Sequence, residues 1–561
     1  ESAIGLGLIG TDITLEGPFK KGYRGSFLFN YRYSTASLVQ DIGLINVDGL
    51  FNFQDANFKI VLPTKKIGTF SVFGVGGMSG YYVDDYAINM LGTPTSRTNS
   101  IELQEDAEKE NYLLNTGLNH ILTINESSFI KTSISYSGNG IRDDMFKSEN
   151  IGTINTLGEF IVDSIVNKSL SLKNRLYKST YRGNVMYSNK INTHNKIKIG
   201  IKYTIHIYDY LQSYLPEDAK TLFTVVDFNE NVATLQNYIS WKYRLNENIT
   251  IVSGIHNMNV LINNKSTLEP RIAVNWKINR TNSVHIGYGN HSTMESIHHY
   301  YTKVEQVDGS VVEPNTDLDL LKAHHYVVGY EKRFNGNFMA KVELYYQYIY
   351  NIPVEDVDTS YFATINEGLD YRYVDLVNEG TGKNYGVEVT FERFFANDYF
   401  FLVNASLFNS TYKSLEGMER NTMYNKKYLG NILYGKEFQN LGQNKNKTLA
   451  INSKLFIQGG QRFTPLLRDD DGNLIVDPEN NRFWDYEQAY EAYLDNVYQI
   501  NVSISYKINK LKATHEIFLD LQNLTNYKGR TYEYYDESEP GNIGYASQFG
   551  FFPNLMYRVY F

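Results

Sequence analysis

The sequence predicts an all-β chain that folds as one large antiparallel transmembrane β-barrel spanning residues 1–561. Three observations lead to this fold class. Long segments alternate between apolar and polar residues, short and long connections follow each other in turn, and the last segment ends on an aromatic residue. The alternating segments reach roughly 10–15 residues, whereas strands of soluble proteins typically have about 5–6. Strands that cross a bilayer need this greater length.

The last strand has one apolar face and one mixed face. It occupies the segment Phe551–Phe561 and stops on the terminal Phe. Leu555, Tyr557, Val559 and Phe561 point one way, whereas Met556, Arg558 and Tyr560 point the other way. A strand of this kind is typical of the closing strand of an outer-membrane barrel.

The segment Lys196–Tyr208 shows the alternation most clearly. Its apolar face carries Ile197, Ile199, Ile201, Tyr203, Ile205 and Ile207, and its polar face includes Lys198 and Lys202. The segments Lys341–Tyr350 and Asn384–Glu392 follow the same rule. In a barrel with a wet lumen, the apolar face meets lipid and the polar face points inward.

The composition supports a barrel and excludes several other classes of protein. Tyr (47) and Phe (31) are abundant, as the aromatic belts of a membrane barrel require, and only 42% of residues are hydrophobic. No run of ~18 apolar residues predicts a membrane-spanning helix. The absence of Cys excludes thiolate chemistry, and the net charge of −9 argues against a nucleic-acid partner. No catalytic motif is present, so neither an enzyme nor a cofactor is predicted.

The alternation of connections gives the number and direction of the strands. Short turns, such as Lys20–Tyr23 and Leu245–Asn248, lie at the periplasmic end of such barrels, and long loops, such as those near 80–108 and 143–173, lie outside the cell. Counting back from Phe561 gives about 21 strands, of which the first, Ala3–Glu16, runs downward from an extracellular N-terminus. Because an open edge is costly in lipid, we expect 22 strands, with one more strand before Glu1.

Seven segments resemble TonB-dependent outer-membrane receptors, particularly the branch common in Bacteroidota, and they occur in the order found in that family. The matching segments are Glu16–Gly22, Tyr31–Ser34, Leu268–Arg271, Lys322–Tyr326, Val377–Glu388, Leu519–Asn526 and Gly550–Phe561.

This resemblance implies a location in the outer membrane of a Gram-negative bacterium, in contact with the lipid bilayer and lipopolysaccharide. It also implies an N-terminal plug that the inner-membrane TonB complex pulls open, so this chain is expected to be the barrel without its plug and first strand. The implied function is uptake of a scarce nutrient, which is an iron chelate, a glycan or an oligopeptide.

Two other functions remain open at the level of sequence. The barrel is alternatively a structural or scaffolding subunit of a larger outer-membrane complex that binds surface lipoproteins through its long loops. Co-purification of such a lipoprotein, without a growth defect on any scarce nutrient, would favour this alternative. A passive pore without a plug would instead show steady conductance in planar bilayers.

Histidines are concentrated near the predicted extracellular mouth. Five of the eleven lie between positions 291 and 325, namely His291, His298, His299, His324 and His325. Together with Glu295 and Glu305, these imidazoles form a candidate site for a ligand, such as a transition metal or a metal chelate. The alternative is that His291, His324 and His325 belong to the strand scaffold of the family that the chain resembles. One member of the adjacent pair His324 and His325 should face lipid and the other the lumen, which argues against joint ligation.

Six charged residues are candidates for contact with the plug or for lining the lumen. They lie on strands whose polar face points inward or within the segments that resemble the family. These residues are Arg32, Lys198, Lys202, Arg271, Glu388 and Glu392.

Overall fold

In the computed structural model, 22 antiparallel strands form one closed barrel. The structure describes residues 2–35, 51–91, 98–154, 160–215, 220–306, 308–334, 337–368, 372–475, 484–535 and 543–561. The first eleven strands are Ser2–Gly7, Gly10–Pro18, Ser26–Ser34, Phe51–Pro63, Thr69–Leu91, Thr98–Asn125, Ser128–Ile154, Phe160–Lys190, Asn195–Tyr214, Phe223–Arg244 and Ile249–Val260. The other eleven are Lys265–Lys277, Asn282–Thr293, Leu321–Phe334, Phe338–Glu355, Leu376–Ala396, Tyr399–Lys413, Tyr428–Leu441, Lys447–Gln458, Val497–Asn509, Thr514–Gln522 and Phe552–Tyr560.

The barrel closes where the first strand meets the last. Ser2–Gly7 pairs with Phe552–Tyr560, in a register that runs from Ala3 opposite Tyr560 to Gly7 opposite Met556. Ser2 and Phe561 exchange two backbone hydrogen bonds of 2.8 Å. This seam leaves no open sheet edge in the hydrocarbon, where unpaired backbone groups are costly.

The number of 22 strands is confirmed, but the prediction that the chain holds only 21 of them is wrong. The segment Ala3–Glu16 forms two strands rather than one, because the chain turns back at Leu8 and Ile9. The extra strand before Glu1 is therefore not needed for closure. This division also reverses the direction of the first strand, so Ser2 lies at the same end of the barrel as Phe561.

A charged pair ties the two sides of the seam together on the inner wall. The Arg558 guanidinium lies 2.8 Å from the Asp12 carboxylate, whose side chain is only 11% exposed. Next to this pair, Tyr560 donates a 2.7 Å hydrogen bond to Glu516. These contacts join the second, the last and the next-to-last strands.

We expect Asp12→Ala to lower the free energy of unfolding by ~1–3 kcal/mol, because it leaves the guanidinium of Arg558 without its partner in a partly buried site. Urea unfolding in lipid vesicles, followed by tryptophan fluorescence, measures this change. Asp520→Ala is the matched control, since Asp520 contacts Gln522 on its own strand rather than across the seam. Equal unfolding midpoints for the two variants would contradict the assignment.

The predicted facing of the strands agrees with the register. Ile201 lies opposite Val185 and Asn237, and its side chain is 47% exposed on the outer surface. Lys202 has the opposite parity and therefore points into the lumen. The same rule places Tyr385 and Val389 outside and Glu388 inside, because Tyr385 and Val389 are exposed and pair with the apolar face of the neighbouring strand.

The two ends of the barrel differ. At one end, the turn end, the connections are short. At the other, the loop end, most are long. Four neighbouring strands reach 23, 28, 27 and 31 residues, far beyond the ~9–11 that a bilayer requires, so they project past it as tall hairpins. Much of the segments 80–108 and 143–173, predicted as loops, is therefore strand.

At the loop end, the described residues of the segments 294–320 and 356–375, which are 294–306, 308–320, 356–368 and 372–375, fold back into the mouth and pack against the inner wall. They contain a short helix, Ile297–Tyr300, and the 3₁₀ turns Pro314–Asp317 and Thr364–Asn366. Their apolar side chains form one buried cluster with residues of the wall. The cluster comprises Tyr208, Val226, Phe228, Val232, Met258, Val260, Ile297, Tyr300, Leu318, Leu320, Phe362 and Leu376. We refer to these two segments as the cap.

The cap also contains the two short strands Val304–Glu305 and Val311–Val312, which pair with each other. The described parts of the other loops contain the short strands Glu419–Asn421, Arg462–Phe463, Ala492–Tyr493, Arg530–Tyr535 and Ile543–Ser547, and the 3₁₀ turn Tyr486–Gln488. Among the described residues, no helix has the length and apolar character needed to span a membrane.

Candidate functional site

A cavity lies between the cap and the inner wall at the loop end. Its volume is about 420 Å³, within the ~300–1,000 Å³ typical of small-molecule sites. One side is formed by strands of the wall and the other by the start of the cap. The lining residues are Asn139, Ile141, Leu176, Lys178, His206, Tyr208, Tyr210, Gln212, Val226, Met294, Glu295, Ser296, Ile297 and His298.

Three cations lie on the inner wall at and below this cavity. Lys178 lines the cavity, and Arg182 and Lys202 follow it toward the turn end. Lys178, Arg182 and Lys202 belong to two adjacent strands, and Arg182 repels both lysines electrostatically. Within the described ranges, none of the three forms a salt bridge. The Lys178 ammonium lies 4.9 Å from the ring centre of Tyr208, and Arg182 donates a 3.0 Å hydrogen bond to Ser137. We call these three residues the basic patch.

Strand alternation explains how the sequence builds the basic patch. Tyr181 and Val185 are exposed on the outer surface, so the residues of opposite parity, including Lys178 and Arg182, point inward. Lys202 was predicted from the sequence as an inward-facing residue, whereas Lys178 and Arg182 were not. The same period-2 pattern, read over the neighbouring strand Phe160–Lys190, contains the signal that would have found them.

Two of the predicted histidines meet a glutamate inside the cap. His299 Nε2 lies 2.8 Å from Glu367 Oε2, and His298 Nε2 lies 3.5 Å from the same oxygen. All three side chains are at most 8% exposed. Glu367 was not predicted, because it is 68 residues from His299 and no local sequence pattern marks it.

Burial and the contact of both imidazoles with Glu367 determine the protonation states of His298 and Glu367. Burial lowers the pKa of the His298 imidazole, and Glu367 opposes this effect only in part. Burial alone would raise the pKa of Glu367, but the two imidazoles lower it to about 2. Near neutral pH the site therefore holds a carboxylate beside a neutral His298.

The five predicted histidines do not form one site. The rings of His291 and His325 lie 4.6 Å apart on the inner wall. His324 points outward, where Nδ1 lies 3.1 Å from the Tyr288 hydroxyl and the ring stacks on Tyr350. The joint site fails because His324 and His325 are adjacent on one strand and must face opposite sides.

The two acidic residues proposed as their companions are placed differently. Glu295 accepts a 2.9 Å hydrogen bond from Thr364 and so joins the two segments of the cap. The side chain of Glu305 lies outside the described residues.

The alternation of their strands places all six predicted lumen residues on the inward face of the barrel wall. Arg32 pairs with Asp55 at 2.9 Å, and Arg271 pairs with the buried Glu269 at 2.6 Å, so both arginines are already engaged by the wall. Lys198, Lys202, Glu388 and Glu392 also point inward. Contact of any of these residues with a plug remains a prediction.

Comparison with known proteins decides the family. The model of the TonB-dependent receptor-like β-barrel matches residues 46–524. The chain belongs to the TonB-dependent receptor family. It is accordingly a barrel of the Gram-negative outer membrane, and its loop end is extracellular. Membership of the Bacteroidota branch remains a prediction. Among curated protein sequences, none matches this chain.

Solved structures of TonB-dependent receptors share the fold at low sequence identity. FpvA of Pseudomonas aeruginosa bound to heterologous pyoverdines has 9% identity and a TM-score of 0.65, with 100% of this chain and 70% of that chain covered. The ferric yersiniabactin uptake receptor FyuA from Yersinia pestis has 10% identity and a TM-score of 0.62, with 100% and 80% covered. The siderophore receptor PiuA from Acinetobacter baumannii has 11% identity and a TM-score of 0.63, with 100% and 81% covered. These receptors share the architecture of this chain.

Proposed function

We propose that this TonB-dependent receptor barrel imports an anionic ferric chelate, which the cavity between the cap and the basic patch captures at the extracellular mouth. The observation that carries the proposal is the set of three cations, Lys178, Arg182 and Lys202, without a carboxylate partner among the described residues. Clustered like charges are costly unless a counter-charge joins them. A polyanionic ligand supplies that counter-charge.

The positive charge of the basic patch favours iron chelates over the other two nutrient classes, glycans and oligopeptides. Neutral glycans gain nothing from three cations, and oligopeptides gain only when they are acidic. A ferric chelate with carboxylate or catecholate groups presents several anionic oxygens at once, which suits both lysine and arginine donors. The fold neighbours named for ferric yersiniabactin uptake and for pyoverdine binding add support for this class.

The chain as a whole is acidic, with a net charge of −9, so a local basic wall stands out against its surroundings. A concave site with low-dielectric walls focuses such a field and raises the local concentration of oppositely charged ligands. Capture at the cavity is then followed by release toward the periplasm. We propose that the inner-membrane TonB complex drives this step through a plug that fills the lumen.

A cargo panel tests the proposal. Cells that carry the native protein and cells that lack its gene are given radiolabelled ferric chelates of negative, zero and positive charge, a labelled neutral glycan and a labelled oligopeptide. We expect loss of the gene to reduce uptake of the anionic ferric chelate to a small fraction of the wild-type rate and to leave the others unchanged. A selective defect in the glycan or the oligopeptide would overturn the proposed cargo.

A further inference from the structure

The histidines and the glutamate buried in the cap have the composition of a metal site. His298 and His299 are consecutive residues of the short helix Ile297–Tyr300, and Glu367 follows the 3₁₀ turn Thr364–Asn366 on the other segment of the cap. Their ligand atoms, two imidazole nitrogens and one carboxylate oxygen, all lie within 4.8 Å of one another. Tetrahedral Zn²⁺, with ligands at about 2.0–2.2 Å, places ligand atoms roughly 3.3 Å apart. The observed 2.8 and 3.5 Å distances bracket that value.

Neighbouring residues hold the glutamate in place independently of any ligand. Asn366 Oδ1 accepts a 3.0 Å hydrogen bond from the backbone of Met423, and the backbone carbonyl of Glu367 accepts one of 3.4 Å from the Tyr424 hydroxyl. On the opposite segment, Glu295 accepts a hydrogen bond from Thr364. The two halves of the site are thus positioned by the cap itself, and such preorganisation is what a metal site needs.

Burial gives an energetic reason for a bound cation. The side chain of His299 is fully buried, and its Nε2 atom faces the Glu367 carboxylate, whose side chain is 7% exposed. The backbone N–H of Arg372 donates a 3.2 Å hydrogen bond to the other carboxylate oxygen, Oε1. A buried charge requires compensation. A divalent cation at the three ligand atoms neutralises this charge.

We propose that His298, His299 and Glu367 bind a resident divalent transition metal of the Zn²⁺ class, which clasps the two segments of the cap across the mouth. Two imidazoles and one carboxylate are a ligand set that Zn²⁺ uses readily. The fourth position is open to water from the cavity, because His298 also lines that cavity. Since the ligands are buried, this metal is part of the cap and is distinct from any imported cargo.

Metal content tests the proposal without reference to uptake. Untagged native protein in detergent is stripped with EDTA, dialysed against Zn²⁺ and analysed by inductively coupled plasma mass spectrometry. We expect one Zn²⁺ per chain. We expect Glu367→Gln to weaken binding by at least ~10-fold, because it removes the only anionic ligand. His324→Gln is the matched control, since that ring lies on the outer face, and it should bind as the wild type does.

Two further readouts keep the proposal falsifiable if the variant fails to assemble. The wild-type protein loaded with Co²⁺ should show the visible absorption of a tetrahedral complex. Protease cleavage within 356–375 should be slower with Zn²⁺ than with EDTA. Three outcomes would each overturn the proposed metal site. They are a wild-type protein that holds no stoichiometric Zn²⁺, a Glu367→Gln variant that binds Zn²⁺ as tightly as the wild type, and cleavage rates that are identical with Zn²⁺ and with EDTA.

Discussion

Charge reversal of the basic patch, in the triple variant Lys178→Glu, Arg182→Glu and Lys202→Glu, is expected to abolish uptake of an anionic ferric chelate. Each substitution replaces attraction by repulsion, and unit charges about 4 Å apart interact with roughly 4 kcal/mol at an effective dielectric constant of 20. Even a small part of this energy corresponds to more than a tenfold loss of affinity. Initial rates of radiolabelled iron uptake in intact cells measure the effect.

Three controls isolate the charge of the patch. The neutral variants Lys178→Gln and Lys202→Gln should give intermediate rates. Lys454→Glu, on the inward face of the strand Lys447–Gln458, which is not adjacent to the patch, should leave uptake close to that of the wild type. Raising the ionic strength should weaken uptake by the wild type more than uptake by the neutral variants. Undiminished uptake by a triple variant that reaches the outer membrane would rule out this site.

Ile201→Lys is expected to destabilise the barrel by ~2–4 kcal/mol if residue 201 lies near the bilayer midplane, because it places a charge on the lipid-facing surface. Ile201 pairs with Val185 and Asn237 on the outer face and is 47% exposed. Urea unfolding in lipid vesicles measures the change. The adjacent substitution Lys202→Ala is the matched control. It should hardly change the free energy of unfolding, because Lys202 faces the wet lumen.

The two adjacent positions also separate stability from function. Lys202→Ala should reduce uptake while leaving the unfolding midpoint unchanged, whereas Ile201→Lys should lower the midpoint. Equal effects of both substitutions on stability would contradict the assignment of the two faces.

Period-2 alternation was sufficient to predict the fold class and the facing of the strands, because each strand buries one face in lipid. The number 22 came instead from the order of short and long connections and from the cost of an open edge, by adding one strand before Glu1 to a count of 21. That count was wrong at Ala3–Glu16, where two short strands meet at Leu8 and Ile9. The apolar residues at this reversal interrupt the pattern too little to signal a turn. The tall hairpins were also missed, since turn composition and loop length do not reveal how far pairing extends above the membrane.

The functional residues were harder to predict because they depend on contacts between distant segments. Strand alternation alone places His324 and His325 on opposite sides of the barrel wall. The same rule applied to the strand Phe160–Lys190 places Lys178 and Arg182 on the inner side. No pattern in the chain links His299 to Glu367, which meet only because both segments of the cap fold into the mouth. Such contacts follow from tertiary packing rather than from local sequence.

Energised import through this barrel is tested most directly by iron accumulation in intact cells that express the native protein. Uptake of an anionic radiolabelled ferric chelate is compared with and without the gene, and with and without a protonophore that removes the energy supply of the TonB complex. We expect uptake to require both the protein and the energy supply. Uptake that is unchanged without the gene, or that continues at full rate when the proton gradient is collapsed, would contradict the account.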